Sequence, residues 1–112
     1  MEERRKSKRY DIHQMIEMSR NSESFRCEGV NISESGLLVR IDKKVEQTGT
    51  EEYLFIFDIE LEEGMEEMRC EGKIVYTIEQ EGKQEVGIQF VGLNDEESEL
   101  LQKYTRYLER QG

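Results

Sequence analysis

Tyr53-Leu54-Phe55-Ile56-Phe57-Asp58-Ile59-Glu60-Leu61 is the stretch that decides the fold class. Successive side chains of a strand point to opposite faces, so Tyr53, Phe55, Phe57, Ile59 and Leu61 share one side while the other turns polar at Asp58 and Glu60. The chain runs into Glu62-Glu63-Gly64, a charged hairpin turn. It returns with Met68, Cys70, Gly72, Ile74, Tyr76 and Ile78 on one face against Arg69, Glu71, Lys73 and Thr77. A second turn at Glu79-Gln80-Glu81-Gly82 leads to Val86, Ile88 and Phe90 on one face, which predicts an antiparallel meander.

Upstream, Ile12, Gln14, Ile16 and Met18 alternate with His13, Met15 and Glu17 and predict a strand over about residues 12 to 19. Phe25, Cys27 and Gly29 share the next face, and Gly36-Leu37-Leu38-Val39-Arg40-Ile41 forms the partner strand across the loop from Asn31 to Gly36. The tail changes period. Leu100, Leu101, Tyr104, Tyr107 and Leu108 draw one apolar stripe down a helix expected from about 95 to 110. Asn94 and Glu97 have the spacing of a capping box, and Asp95 and Glu96 suit the positive end of the helix. The expected architecture is mainly β: about six antiparallel strands in a small barrel or sandwich, closed by one C-terminal helix. The tyrosine-rich stripe fits either the chain's own barrel or a second subunit, so monomer and homodimer both stay open.

With 112 residues the chain fits one domain with a single modest core. Charged residues make up 38% and apolar residues 35%, close to a disordered composition, but the apolar residues cluster in short alternating runs, as a folded chain requires. No apolar run approaches the roughly 20 residues that span a bilayer, and the basic start does not lead into a signal-peptide core, so the cytoplasm is expected and membrane insertion is not. Cys27 and Cys70 lack any CxxC spacing and read as reduced core thiols.

Charge is distributed unevenly. The net charge is −10, yet residues 1 to 10 carry Arg4, Arg5, Lys6, Lys8 and Arg9 against Glu2 and Glu3, leaving −13 for the remainder. Such a body repels nucleic acid and anionic lipid over most of its surface and favours a compact anion gripped at one place. Guanidinium groups make forked hydrogen bonds to phosphate oxygens and to guanine O6 and N7, which suits Arg5 and Arg9, four residues apart, to such a ligand. Asn31 and Ser33 can hydrogen-bond their own backbone in a turn, and Gly36 can take positive φ at little cost.

Arg5-Lys6-Ser7-Lys8-Arg9 followed by Asn31-Ile32-Ser33-Glu34-Ser35-Gly36 resembles the RxxxR and (D/N)xSxxG segments of the PilZ domain family. The likeness extends through Glu71-Gly72-Lys73-Ile74-Val75-Tyr76 and Val86-Gly87-Ile88-Gln89-Phe90-Val91-Gly92-Leu93 to the acidic helix start, nearly the whole chain. It implies a bacterial receptor for cyclic di-GMP, a messenger with two phosphates and two guanines. Residues 1–11 would be a flexible basic leader and residues 12–112 the barrel with its helix. Arg5 and Arg9 would clamp phosphate and guanine, and Asn31, Ser33 and Gly36 would line the other wall. In the family an arginine at the place of Arg4 accompanies two intercalated ligand molecules. Binding would order the leader, and the signal would pass to a downstream effector protein in motility, pilus, exopolysaccharide or virulence control.

Other readings are weaker. The chain has no GxSxG, HExxH, P-loop or dinucleotide fingerprint, and a lone histidine, His13, at a strand start is more often structural than catalytic, so no enzyme is expected. The carboxylate runs read as solvated turns and a helix start, not a metal site. Base stacking on the barrel, as in OB-type folds, conflicts with inward-facing aromatics in acidic surroundings. The rival that remains is a PilZ-like interaction module that binds no nucleotide.

Overall fold

The alternating runs form six strands, β1 (Tyr10–Arg20), β2 (Glu23–Ile32), β3 (Gly36–Ile41), β4 (Glu52–Leu61), β5 (Gly64–Gln80) and β6 (Lys83–Val91), followed by helix α1 (Asp95–Gln111). The computed structural model describes residues 8–42 and 52–111. All pairings are antiparallel, and the strands close into a barrel in the order β1-β2-β3-β6-β5-β4. β1 begins two residues before the expected start, because Tyr10 and Asp11 pair with Ile32 and Asn31.

The inward positions are those the alternation marks. Ile12, Ile16, Met18, Cys27, Phe55, Phe57, Ile59, Met68, Cys70, Val86 and Ile88 are all buried in one core. Strand β5 departs from the expected pattern. Its alternation holds to Ile74, opposite Ile88, but Tyr76 then faces Gly87, so Val75 is an extra residue in a β-bulge. The bulge turns the rest of the strand over and leaves Tyr76 and Ile78 exposed instead of inward. The Tyr76 ring lies across Gly87, where a β-carbon would collide with it.

The barrel closes through a short seam in which only Glu17, Met18 and Ser19 of β1 face Ile56, Phe55 and Leu54 of β4. Beyond it Gln14 bridges the two strands: its amide nitrogen donates to the Asp58 carbonyl at 2.6 Å, and its oxygen accepts from the Tyr104 hydroxyl at 3.1 Å. Tyr104 belongs to α1, which packs Leu101, Tyr104 and Thr105 onto the chain's own barrel. Full burial of a side chain such as Leu101 contributes roughly 1.5–3 kcal/mol. The helix starts as its sequence predicts: the Asn94 carboxamide accepts from Glu97 N–H at 2.7 Å, while the Glu97 carboxylate accepts from Asn94 N–H at 3.1 Å. Exposed pairs from Arg110 to Glu62 and Lys103 to Glu63 flank the helix and add little, about 0–1 kcal/mol each.

Cys27 and Cys70 are free and buried, and burial pushes both thiols up to about 12. A thiol whose folded pKa exceeds its unfolded value favours the folded state only while it stays protonated, so that contribution is complete below the unfolded pKa and lost between about 9 and 12 as pH rises. Denaturation at pH 7, 9 and 10 should show stability falling at the alkaline end by about 1.4 kcal/mol per thiol for each pH unit above the unfolded pKa. Replacing both cysteines by alanine should flatten this dependence.

Candidate functional site

The start of β1 and the β2–β3 turn meet at one edge of the barrel. Arg9, one residue before β1, donates from Nη1 to Asn31 Oδ1 at 3.1 Å across 22 residues of sequence. The pairing of Tyr10 with Ile32 and of Asp11 with Asn31 fixes this encounter, since it brings the chain entering β1 alongside the end of β2. Arg9 is exposed and Asn31 half-buried, so the guanidinium faces solvent with its remaining donors. Arg4 and Arg5, the other expected contacts, lie outside the described residues.

Ser33 organises the turn. Its hydroxyl is buried, accepts from the backbone N–H groups of Ser35 and Gly36 at 3.1 and 3.2 Å, and lies 3.2 Å from the Ser35 hydroxyl. Ser33 N–H in turn donates to the Gly36 carbonyl at 2.9 Å, and the Ser35 carbonyl accepts from Phe90 N–H at 3.0 Å, which ties the turn to β6. Ser33 thus hydrogen-bonds its own loop as the sequence indicates, whereas the Asn31 side chain reaches Arg9 instead.

Gly36 serves a purpose other than the one read from sequence. The glycines with positive φ among the described residues are Gly64, Gly82 and Gly92, and Gly36 is not one of them. A β-carbon on Gly36 would collide with the carbonyl oxygen of Ile88, so glycine is needed here for the close approach of β3 to β6. Sequence alone signals a special glycine but not which of these two reasons applies.

Strand register extends the site over the outer face of the barrel. One cross-strand row runs Asp11, Asn31, Leu38, Gly87 and Tyr76, and the neighbouring row runs Gly36, Gln89 and Lys73. Half-buried Leu38 and the Tyr76 ring over Gly87 give a low apolar floor beside the Arg9–Asn31 pair, suited to a flat base. Tyr10 anchors the rim: partial desolvation, then the Glu109 carboxylate that accepts its hydroxyl, then the charge of Glu34 hold its phenol above the ordinary value. A groove of about 430 Å³ between β5 and the start of α1 is a poorer home for an anion, since Glu66, Glu67, Glu96, Glu97 and Glu99 line it. Among the described residues no group of three or more histidine, cysteine or acidic side chains could hold a metal ion. No helix among them is long and apolar enough to cross a membrane.

A model of the PilZ domain matches residues 3–107, and the chain belongs to the PilZ domain family. No curated protein matches it in sequence. Similar solved structures include the Bacillus subtilis inhibitor of motility MotI/DgrA, 18% identical with a TM-score of 0.79 over 97% of this chain and 51% of that one. The PilZ domain of Escherichia coli YcgR with c-di-GMP is 13% identical with a TM-score of 0.75, over 97% of this chain and 94% of that one. The K. pneumonia MrkH–c-di-GMP complex is 16% identical with a TM-score of 0.70, over 97% and 54%. The chain therefore spans about half the length of the first and third of these. At such identities the likeness concerns the six-stranded fold.

Gly36→Ala should destabilise the domain by about 1–3 kcal/mol in chemical denaturation, because backbone on both sides must move to admit the methyl group. Gly64→Ala, at a position with open space but positive φ, should cost about 1 kcal/mol.

Proposed function

We propose that this chain is a bacterial receptor and adaptor for cyclic di-GMP. The observation that carries the reading is the 3.1 Å hydrogen bond from Arg9 to Asn31, which unites the two halves of the family's motif beside the turn built by Ser33 and Gly36. Two of the similar structures hold c-di-GMP, and they share this fold across 97% of the chain. The role is binding, as in a PilZ module, and not catalysis.

In this reading Arg9 and Arg5 take phosphate and the guanine N7/O6 edge by forked, charge-assisted hydrogen bonds. Asn31 offers an amide edge, and Leu38 with the Tyr76 ring supports a base. Ser33 and Gly36 act by setting the backbone of the turn, since the Ser33 hydroxyl is already engaged by two N–H groups. Arg4 adds a third guanidinium that suits a second, intercalated nucleotide by stacking and by offsetting its phosphates. Closure of the arginine segment over the ligand is the switch, and a downstream protein in the cytoplasm reads it. The ordering cost of closure is offset by the charge-assisted bonds it creates.

Isothermal calorimetry with cyclic di-GMP tests this directly. Wild type should release heat that is lost in Arg5→Ala and Arg9→Ala, with saturation near two nucleotides per chain, and amide exchange at residues 8–11 should slow on binding. A wild type that gives no heat with millimolar nucleotide in low salt would leave the interaction module without a nucleotide as the correct reading.

A further inference from the structure

Most described cations have a partner. Arg40, Arg69, Lys83, Lys103 and Arg110 each have a carboxylate within 4 Å, and Arg9 holds Asn31. Lys73 has none among the described residues, although Glu52 lies opposite it on β4. Lys8, Arg26 and Arg106 also lack one, but all three are exposed, whereas Lys73 is half-buried. A lysine whose stem is packed on the barrel while its ammonium is left without a carboxylate, on a chain carrying −10, stands out electrostatically.

Its position relates it to the site. Gly72 and Ile74 point inward, so Lys73 projects from the outer face, directly across from Gln89, which is directly across from Gly36. Two strand spacings place the Lys73 backbone about 10 Å from Gly36, within reach of a four-carbon stem over the face between them. The two phosphates of a cyclic dinucleotide sit on opposite sides of its ring. Arginines entering from the β1 side can therefore grip one phosphate while the other projects across β6.

We infer that Lys73, with the Gln89 amide beside it, extends the nucleotide site across β6 and binds the second phosphate of the cyclic dinucleotide. The inference rests on the receptor reading and adds residues that neither half of the family's motif contains. Gln89 supplies a neutral donor and acceptor between the two charged ends, and Lys73 supplies the compensating charge.

The test is calorimetry with cyclic di-GMP on Lys73→Met, which keeps the stem and removes the charge, on Lys73→Arg, and on Lys83→Met, whose native ammonium faces Asp42. Lys73→Met should bind about ten-fold or more weakly, the loss of one charge-assisted contact, and its affinity should depend less steeply on salt. Lys73→Arg and Lys83→Met should stay within about two-fold of wild type, and thermal melts should show all three folded. Wild-type affinity in Lys73→Met, or an equal loss in Lys83→Met, would overturn the assignment while leaving the receptor reading intact. A wild type that binds no nucleotide would overturn both.

Discussion

A sheet of six strands must either leave two unpaired edges or close on itself, and this chain closes on three residue pairs between β1 and β4. Beyond that seam one side chain joins the two strands. Gln14 satisfies the Asp58 carbonyl and receives the Tyr104 hydroxyl, so the same residue completes the barrel and docks the helix. Its amide uses both of its functional ends, which explains a polar residue in the midst of an apolar alternation. At the other end of β1, the pairing of Tyr10 with Ile32 and of Asp11 with Asn31 sets the place where Arg9 meets the end of β2.

The turn itself is held from three directions. Ser33 gathers its N–H groups, the Ser35 carbonyl is fixed by Phe90 N–H, and Gly36 lets β3 lie close on the Ile88 carbonyl. The neighbour on that side is β6, the last strand in sequence, so the turn is supported by a segment more than fifty residues away. Side chains on β5 and β6 enter the same surface by register alone.

Strand alternation made most of this readable in advance. The four inward residues of β4 from Phe55 onward, the capping box at Asn94 and the helix stripe follow from periods of 2.0 and 3.6 residues and from short-range hydrogen bonding, which sequence encodes locally. The flip of Tyr76 and Ile78 was not readable, because a bulge at Val75 depends on which residue of β6 stands opposite, and Gly87 is special only once a tyrosine lies over it. Gly36 was marked for the right position and the wrong reason, since a collision with Ile88 is a long-range fact. Lys73 carries no mark in the sequence for a similar reason: it reads as a lysine among glutamates, while its lack of a carboxylate partner among the described residues is a three-dimensional fact.

The bond between Arg9 and Asn31 also bears on selectivity. Asn31 takes one donor of the Arg9 guanidinium and holds its fork in place, while the remaining donors face solvent. Chloride, a single acceptor, uses little of that fork and gains little in water. A molecule that brings several acceptors and a flat ring to the same spot compensates both partners at once. In the receptor reading proposed above, a guanidinium posed in this way favours ligands with several acceptors over the common ions of the cell.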